Sequence, residues 1–404
     1  MNSTDPKTIE LTDFFTCEAA LREPDLKQSL YDEGALLMDR VLVTLHGEAH
    51  RTRRLSEMRV FRRDFFKRFE AQVIPQIFTD VMATRDVTTS LDLVDLNYRF
   101  MVYLALAFAG VDQQNKTVAE LDQLIYLLRM FGVAATLGQA KEGRDKEAAK
   151  AEVSAALATF ANDFFEPSVK RRRNLLEAVE QGQLSAEELP MDVLTVLLED
   201  AQKLNMDADM LMREVAFYFL ASAHTSVHSL GHSVHHLLNW CSAHADARAQ
   251  LIEQPALVQQ FVQESFRLHP SSPIAKRVAL SPVTFLDGQQ AAPGDTVIIN
   301  LRQANRDESV FGTAGDRFDP YRQVRAGVTH TGVTFGIGMH ACLGKNLAAG
   351  SPPRPNQPMQ MGTVAWLSHA LLQMGIEADP ADPAQLDQAI ERETWLRYPV
   401  RFVS

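Results

Sequence analysis

Ten residues, Phe335-Gly-Ile-Gly-Met-His-Ala-Cys-Leu-Gly344, constrain this chain more than any other part of it. One cysteine stands among three glycines and a histidine, and a helix is predicted over residues 343–349, directly after it. The glycines permit positive φ and let backbone N–H groups come close to the sulfur, while the helix N-terminus adds potential favourable to an anion. Both effects favour a thiolate at Cys342. The other cysteines, Cys17 and Cys241, are remote in sequence and form no C-x-x-C, so a disulfide framework is excluded.

Around this loop the chain reads as mainly α with a small β region. Helices are predicted at 52–84, 91–109, 117–131, 146–166, 207–240 and 255–268, with breakers such as Gly110, Gly143, Pro167, Pro190 and Pro270 beside them. Strand patterning is confined to 277–286 and 296–301. Across 404 residues there is no fixed-period repeat and no Ser/Gly-rich linker, which predicts one large domain, 1–404, with an exposed proline-rich loop at 350–358. Hydrophobic residues make up 46% of the chain, enough to offset chain entropy and exclude general disorder. A net charge of −11 argues against a nucleic-acid-coating protein. The longest unbroken apolar run, 101–109, is too short for a membrane span, and the first residues lack signal-peptide character, so a cytoplasmic location is expected.

A thiolate with no second cysteine nearby suits one axial bond to haem iron better than zinc, which takes four ligands. A lone G-x-x-x-C would read as a buried cysteine in a glycine turn. Six specified positions in ten make a chance match rarer than about one in 10⁵ for a chain of this size. The segment resembles the haem-binding signature F-G-x-G-x-H-x-C-x-G of the cytochrome P450 family. Further pieces follow in the family's order. Glu264-Ser-Phe-Arg267 resembles its E-x-x-R, Ala304-Asn-Arg-Asp307 its A-N-R-D, and Asp316-Arg-Phe-Asp-Pro320 its P-E-R-F region. The resemblance implies haem b held between a long distal helix and a proximal loop. Cys342 is then the iron ligand, Phe335, Gly336 and Gly344 shape the loop, and Glu264, Arg267 and Arg317 form a buried structural network. His50 and Arg54, i,i+4 on one helix face, together with Arg277 and His340, match contacts to the haem propionates.

The stretch 217–240 resembles the helix that crosses the oxygen-binding face. In Ala221-Ser-Ala-His-Thr225 the threonine is kept, while His224 replaces the usual acid and Ser222 the usual glycine. Thr225 is then expected to hydrogen-bond dioxygen and help deliver protons. His224 either relays protons or pairs with a neighbouring helix or water. His224, His228, His232 and His236 repeat every four residues and present a rival divalent-metal reading. It is disfavoured because no acidic residue lies among them and no H-E-x-x-H base position is filled. A surface stripe along the far half of this helix fits better.

Residues 51–68 carry eight basic side chains, Arg51, Arg53, Arg54, Arg59, Arg62, Arg63, Lys67 and Arg68, against Glu57 and Asp64. The resemblance implies that this patch docks a ferredoxin, reduced by NAD(P)H through ferredoxin reductase; the alternative is a plain solvated helix. Substrate contacts are expected from 31–46, 124–137, 217–227 and 272–274, including Phe217, Ala221 and Ile274. Their apolar character implies a small to medium hydrophobic molecule. The expected activity is a haem-thiolate monooxygenase that inserts one atom of O₂. The alternatives are a peroxide-driven or non-oxygenating haem enzyme and a haem-based sensor or binding protein. Relative to the family pattern, His50 comes early, which implies a shortened N-terminal cap lacking a first helix and opening strands.

Overall fold

The computed structural model describes residues 6–140, 143–352, 359–388 and 392–403. Its axis is one uninterrupted helix, Ala208–Ala243, started by the Asp207 side chain, which accepts from Met210 N at 2.7 Å. Buried residues recur on several sides of this helix, so it must be wrapped rather than laid on a surface. Helix Leu93–Ala109, capped by Asp92 and closed by Gly110 at φ 84°, packs along it and buries thirteen of its seventeen residues. Helix Val118–Thr136 covers another side, where Phe131, Phe160 and Phe219 interlock with ring centroids 5.3–6.4 Å apart. Among the described residues, 118–139 is the one segment long and apolar enough to cross a membrane, and its apolar positions face this core.

A smaller core lies under a four-stranded sheet. Its strand order is Thr8–Leu11, Thr296–Asn300, Ile274–Ala279, Leu26–Gln28, with a parallel first pair and antiparallel others. Two of these strands, and helix Phe14–Arg22 between them, come from the residues ahead of His50.

Three boundaries differ from expectation. The predicted helix 52–84 is two helices, Gly47–Glu57 and a second that runs from Arg63 through a wide turn at Phe69–Val73 to Ala83. The chain leaves the first piece so that Val60 is fully buried and Phe61 meets Phe108 at 5.1 Å. Pro167 does not stop its helix. A five-residue wide turn, Ala161–Phe165, shifts the hydrogen-bond register just before it, so the absent N–H costs nothing and the helix runs on to Glu180. The strand expected over 277–286 is instead Ile274–Ala279 followed by a separate short strand, Val283–Thr284. Of the proline-rich loop, 353–358 lie outside the described residues. Ser351 and Gln360 pair across it as an antiparallel bridge.

Candidate active site

A cavity of about 310 Å³ lies between the cysteine loop and the central helix, walled by both cores. The loop is held in shape by Cys342 N–H donating to Phe335 O at 2.8 Å. Two of its glycines are required by geometry. Gly336 and Gly338 have φ of 64° and 73°, and a Cβ on Gly338 would stand 2.8 Å from Leu21 O. Short helix Lys345–Ala349 follows, so the N–H groups of Gly344 and Lys345 point at the Cys342 sulfur. Cys342 itself opens onto the cavity.

The N–H groups and the nearby charges act on Cys342 in the direction expected of them, against a larger opposing effect. Burial raises the Cys342 pKa and outweighs the two N–H groups and the charges of Arg54 and Lys345. A metal cation bound at the sulfur would supply the remaining stabilisation of the anion.

Four basic side chains converge at the cavity's edge. The rings of His50 and His340 meet edge to face at 4.7 Å, Arg54 Nη2 donates to Ala341 O at 2.6 Å, and Arg277 Nη1 donates to Gln28 Oε1 at 2.5 Å. Among the described residues no carboxylate forms an ion pair with Arg54 or Arg277. Burial and then mutual repulsion push His50 down to about 4 and His340 down to about 3, and burial lowers Arg277 to about 10. Both ring nitrogens of His340 are buried without a partner. Such a set lacks an anion, and the two carboxylates of a haem would supply it in the same cavity that presents the thiol.

On the opposite wall stand Phe217, Tyr218, Ala221, Ser222, Thr225, Ser226 and Ser229. Thr225 Oγ1 donates to Ala221 O at 3.0 Å and Ser222 Oγ to Tyr218 O at 2.7 Å, and the helix stays regular through both. His224 lies outside the lining. Its ring packs where a Cβ on Gly132 would come within 2.7 Å of Cε1, and burial, with Arg392 and Arg129, lowers it to about 3. His224 therefore packs against the helix that carries Gly132 and is not part of the cavity lining, which favours the packing alternative over the relay. The surface-stripe expectation is corrected. His232 is buried and stacks on His269 at 4.1 Å, His236 stacks on Phe318 at 4.2 Å, and His236 Nε2 meets His269 Nε2 at 2.9 Å. No group of three potential ligands converges on a metal position among the described residues.

Of the expected substrate stretches, Tyr31, Leu42, Val43, Ser272 and Ile274 line the cavity. Nothing from 124–137 does, because that helix packs behind the central one.

Behind the loop, Arg267 grips Glu264 through two bonds of 2.7 and 2.6 Å and also donates to Asn305 O and Gly315 O. The third member is Arg322, not Arg317. Arg322 Nε reaches Glu264 at 3.2 Å, while the Arg317 side chain is exposed and contributes only its carbonyl, which accepts from Arg322 at 2.8 Å. Pro320 turns the chain so that the later arginine points inward. Asn305 carries the network to the haem loop, donating to Thr334 Oγ1 at 2.8 Å and accepting from Val333 N at 2.8 Å.

The basic segment divides. Arg53 is buried against Glu214 at 2.6 Å, Arg54 faces the cavity, and Arg59 pairs with Glu199 and Asp200. Arg62, Arg63, Lys67 and Arg68 remain exposed beside two exposed apolar side chains, Leu55 and Met58. Glu57 is not a surface acid. It is fully buried, accepts from the cavity-lining Tyr218 hydroxyl at 2.5 Å, and is held protonated by burial and by Glu214, itself raised by burial to about 7.

Comparison with known proteins agrees with this arrangement. The family model described as Cytochrome P450 matches residues 50–350. The chain is 38% identical over 116 residues to linalool 8-monooxygenase of Pseudomonas putida, covering 29% of this chain and 27% of that one. It is also 38% identical over 134 residues to mycinamicin VIII C21 methyl hydroxylase of Micromonospora griseorubida, covering 33% and 32%. These matched segments span about a quarter to a third of the relatives' own length. The solved structure of the cytochrome P450 enzyme CYP109B1 from Bacillus subtilis superposes with a TM-score of 0.72 at 18% identity, covering 97% of this chain and 93% of that one. With the family match covering most of its length, a cysteine loop facing a hydroxyl-bearing helix, and this shared fold, the chain belongs to the cytochrome P450 family.

Proposed function

We propose that this protein is a haem-thiolate monooxygenase that inserts one atom of O₂ into a small to medium hydrophobic substrate, using electrons from NAD(P)H delivered by a ferredoxin. The observation that carries the reading is the thiol of Cys342 facing Thr225 across a cavity edged by four basic groups that lack an anion. Haem bound there would supply the iron at which dioxygen is reduced and cleaved, with the thiolate pushing electron density toward that cleavage.

The chain's own residues do the rest. His50, Arg54, Arg277 and His340 would hold the haem propionates. Leu30, Tyr31, Leu42, Val43, Phe217 and Ile274 exclude water and offer apolar contact to substrate. Thr225 and Ser222, whose hydroxyl protons rest on helix carbonyls, keep acceptor lone pairs for an ordered water or a transferred proton at the cavity wall. Arg62, Arg63, Lys67 and Arg68, all exposed, form a cationic stretch suited to an acidic electron carrier.

One observation favours a second reading. No acidic side chain lines the cavity beside Thr225, and His224 points away, an arrangement equally suited to hydrogen peroxide, which brings its own protons. Turnover of a bound hydrophobic substrate with NADH, ferredoxin reductase and ferredoxin, set against turnover with hydrogen peroxide alone, separates the two. Product formed only with the electron-transfer chain supports the monooxygenase, and product formed only with peroxide overturns it.

A further inference from the structure

We propose that Arg392, together with Gln139 and His224, binds a carboxylate carried by the substrate, so that the molecule oxidised is an apolar acid. This deepens the monooxygenase reading and rests on it.

The starting point is a guanidinium with no counter-ion among the described residues. Arg392 is only 8% exposed, and its one hydrogen bond among the described residues runs from Nε to Gln139 Oε1 at 2.9 Å. Among the other comparably buried arginines, Arg53 meets Glu214, Arg172 meets Asp192, and Arg267 and Arg322 meet Glu264, while Arg277, at the haem-propionate edge of the cavity, is a second one for which no described acid is a partner. No described carboxylate pairs with Arg392. Burial lowers its pKa, and the group that offsets this is the phenol of Tyr31, which lines the cavity. A buried cation left in this state is costly unless an anion joins it.

Among the described residues, the neighbours of Arg392 have spare donors. Gln139 is 6% exposed, and with Oε1 taken by Arg392 its buried Nε2 has no partner. His224 lies in the field of Arg392, and its buried Nδ1 also has no partner. In the tautomer that carries hydrogen on Nδ1, it becomes a further donor. A guanidinium fork, an amide N–H and an imidazole N–H require a planar acceptor with a negative charge, which is a carboxylate.

The position fits a substrate. Gln139 ends the short turn Leu137–Gln139, and a Cβ on Gly138 in that turn would sit 3.6 Å from Leu30 O and 3.5 Å from Glu33 Oε1, a carboxylate already paired with Lys146. Leu30 and Tyr31 are themselves in the cavity wall, so the donor cluster stands directly behind that wall. The haem carboxylates have their own set in His50, Arg54, Arg277 and His340, which leaves this cluster for a different anion.

The holoprotein is titrated with matched pairs of acids and their methyl esters: dodecanoate, 4-phenylbutyrate and abietate. Affinity is read by the ligand-induced spectral shift and separately by calorimetry. At least one acid should bind about tenfold or more tightly than its ester, the range expected for a charge-assisted hydrogen bond. Arg392→Gln should reduce that preference to below about threefold while leaving the ester's affinity within about twofold. Should Arg392→Gln fail to take up haem, Gln139→Leu carries the test and should lower the preference by about threefold or more. Esters binding as tightly as every acid, or a preference that survives these substitutions, would overturn the proposal. The carbon monoxide spectrum of the same preparations reports separately on the haem-thiolate reading.

Discussion

Replacing Arg322 by alanine should destabilise this protein far more than replacing Arg317, although both lie in the same short stretch after Asp316. Arg322 has a 7% exposed side chain and four hydrogen bonds: Nε to Glu264 at 3.2 Å, Nη1 to Phe311 O at 2.6 Å, and Nη2 to Ala314 O at 3.0 Å and Arg317 O at 2.8 Å. Its loss takes the donor from Phe311 O, while Ala314 O keeps the Arg317 N–H and Arg317 O keeps Arg267, and it removes one of two cations from a buried carboxylate. Arg267 and the Asp319 N–H still serve Glu264, so the carboxylate is not abandoned. A broken buried pair costs about 3–5 kcal/mol, and the remaining cation argues for the lower end. Against a total stability of roughly 5–15 kcal/mol, that is a large fraction. Arg317→Ala exposes nothing and should stay within about 0.5 kcal/mol. Urea unfolding of the holoprotein followed by near-UV circular dichroism gives both differences. Equal midpoints for the two variants, or a larger loss for Arg317→Ala, would refute the assignment of Arg322 to the network.

Gly132→Ala places a methyl group against the His224 ring and should cost about 1–3 kcal/mol. His224→Ala in the same chain should recover much of this in a double-mutant cycle, and additive losses would remove the contact. Arg62→Glu with Arg63→Glu should slow reduction by ferredoxin and flatten its ionic-strength dependence without changing the haem spectrum, because both side chains are exposed. Unchanged rates at low salt would make the patch an ordinary solvated surface. Glu214 and Glu57 bind protons more tightly folded than unfolded, so stability should fall as pH rises from about 4.5, their unfolded value, through about 7, the value to which Glu214 is raised. Glu57→Gln keeps an acceptor for Tyr218 and should flatten that fall in a series of thermal melts; an identical slope in the variant would show that the pair does not carry it.

What could be read from the sequence was local. The cysteine loop was legible because its glycines, histidine and cysteine act within ten residues, and all but one of the expected catalytic, cofactor and pocket residues line one cavity. The exception, His224, exposes the limit of helical periodicity, which says which residues share a face but not what covers it. Gly132 covers His224, and His269, Phe318 and Trp395 cover the later histidines, all from distant parts of the chain. The same limit hid Arg322. Arg317 matched the pattern, and only the turn at Pro320 decides which guanidinium faces Glu264. Glu57 was counted against a surface charge run because nothing local reveals that Tyr218 and Glu214, some 160 residues away, enclose it.

The central claim is that Cys342, and neither Cys17 nor Cys241, ligates haem iron. Cys17 is buried in the smaller core, bonded to Leu11 O at 3.3 Å and pushed up to about 12 by burial, which suits an inert structural thiol. The ferrous carbon monoxide difference spectrum of the holoprotein tests the claim directly. The wild-type chain should give the thiolate-type band, and Cys342→Ser, whose hydroxyl stays protonated and binds iron weakly, should lose it while remaining folded. Retention of that band in Cys342→Ser would contradict the account.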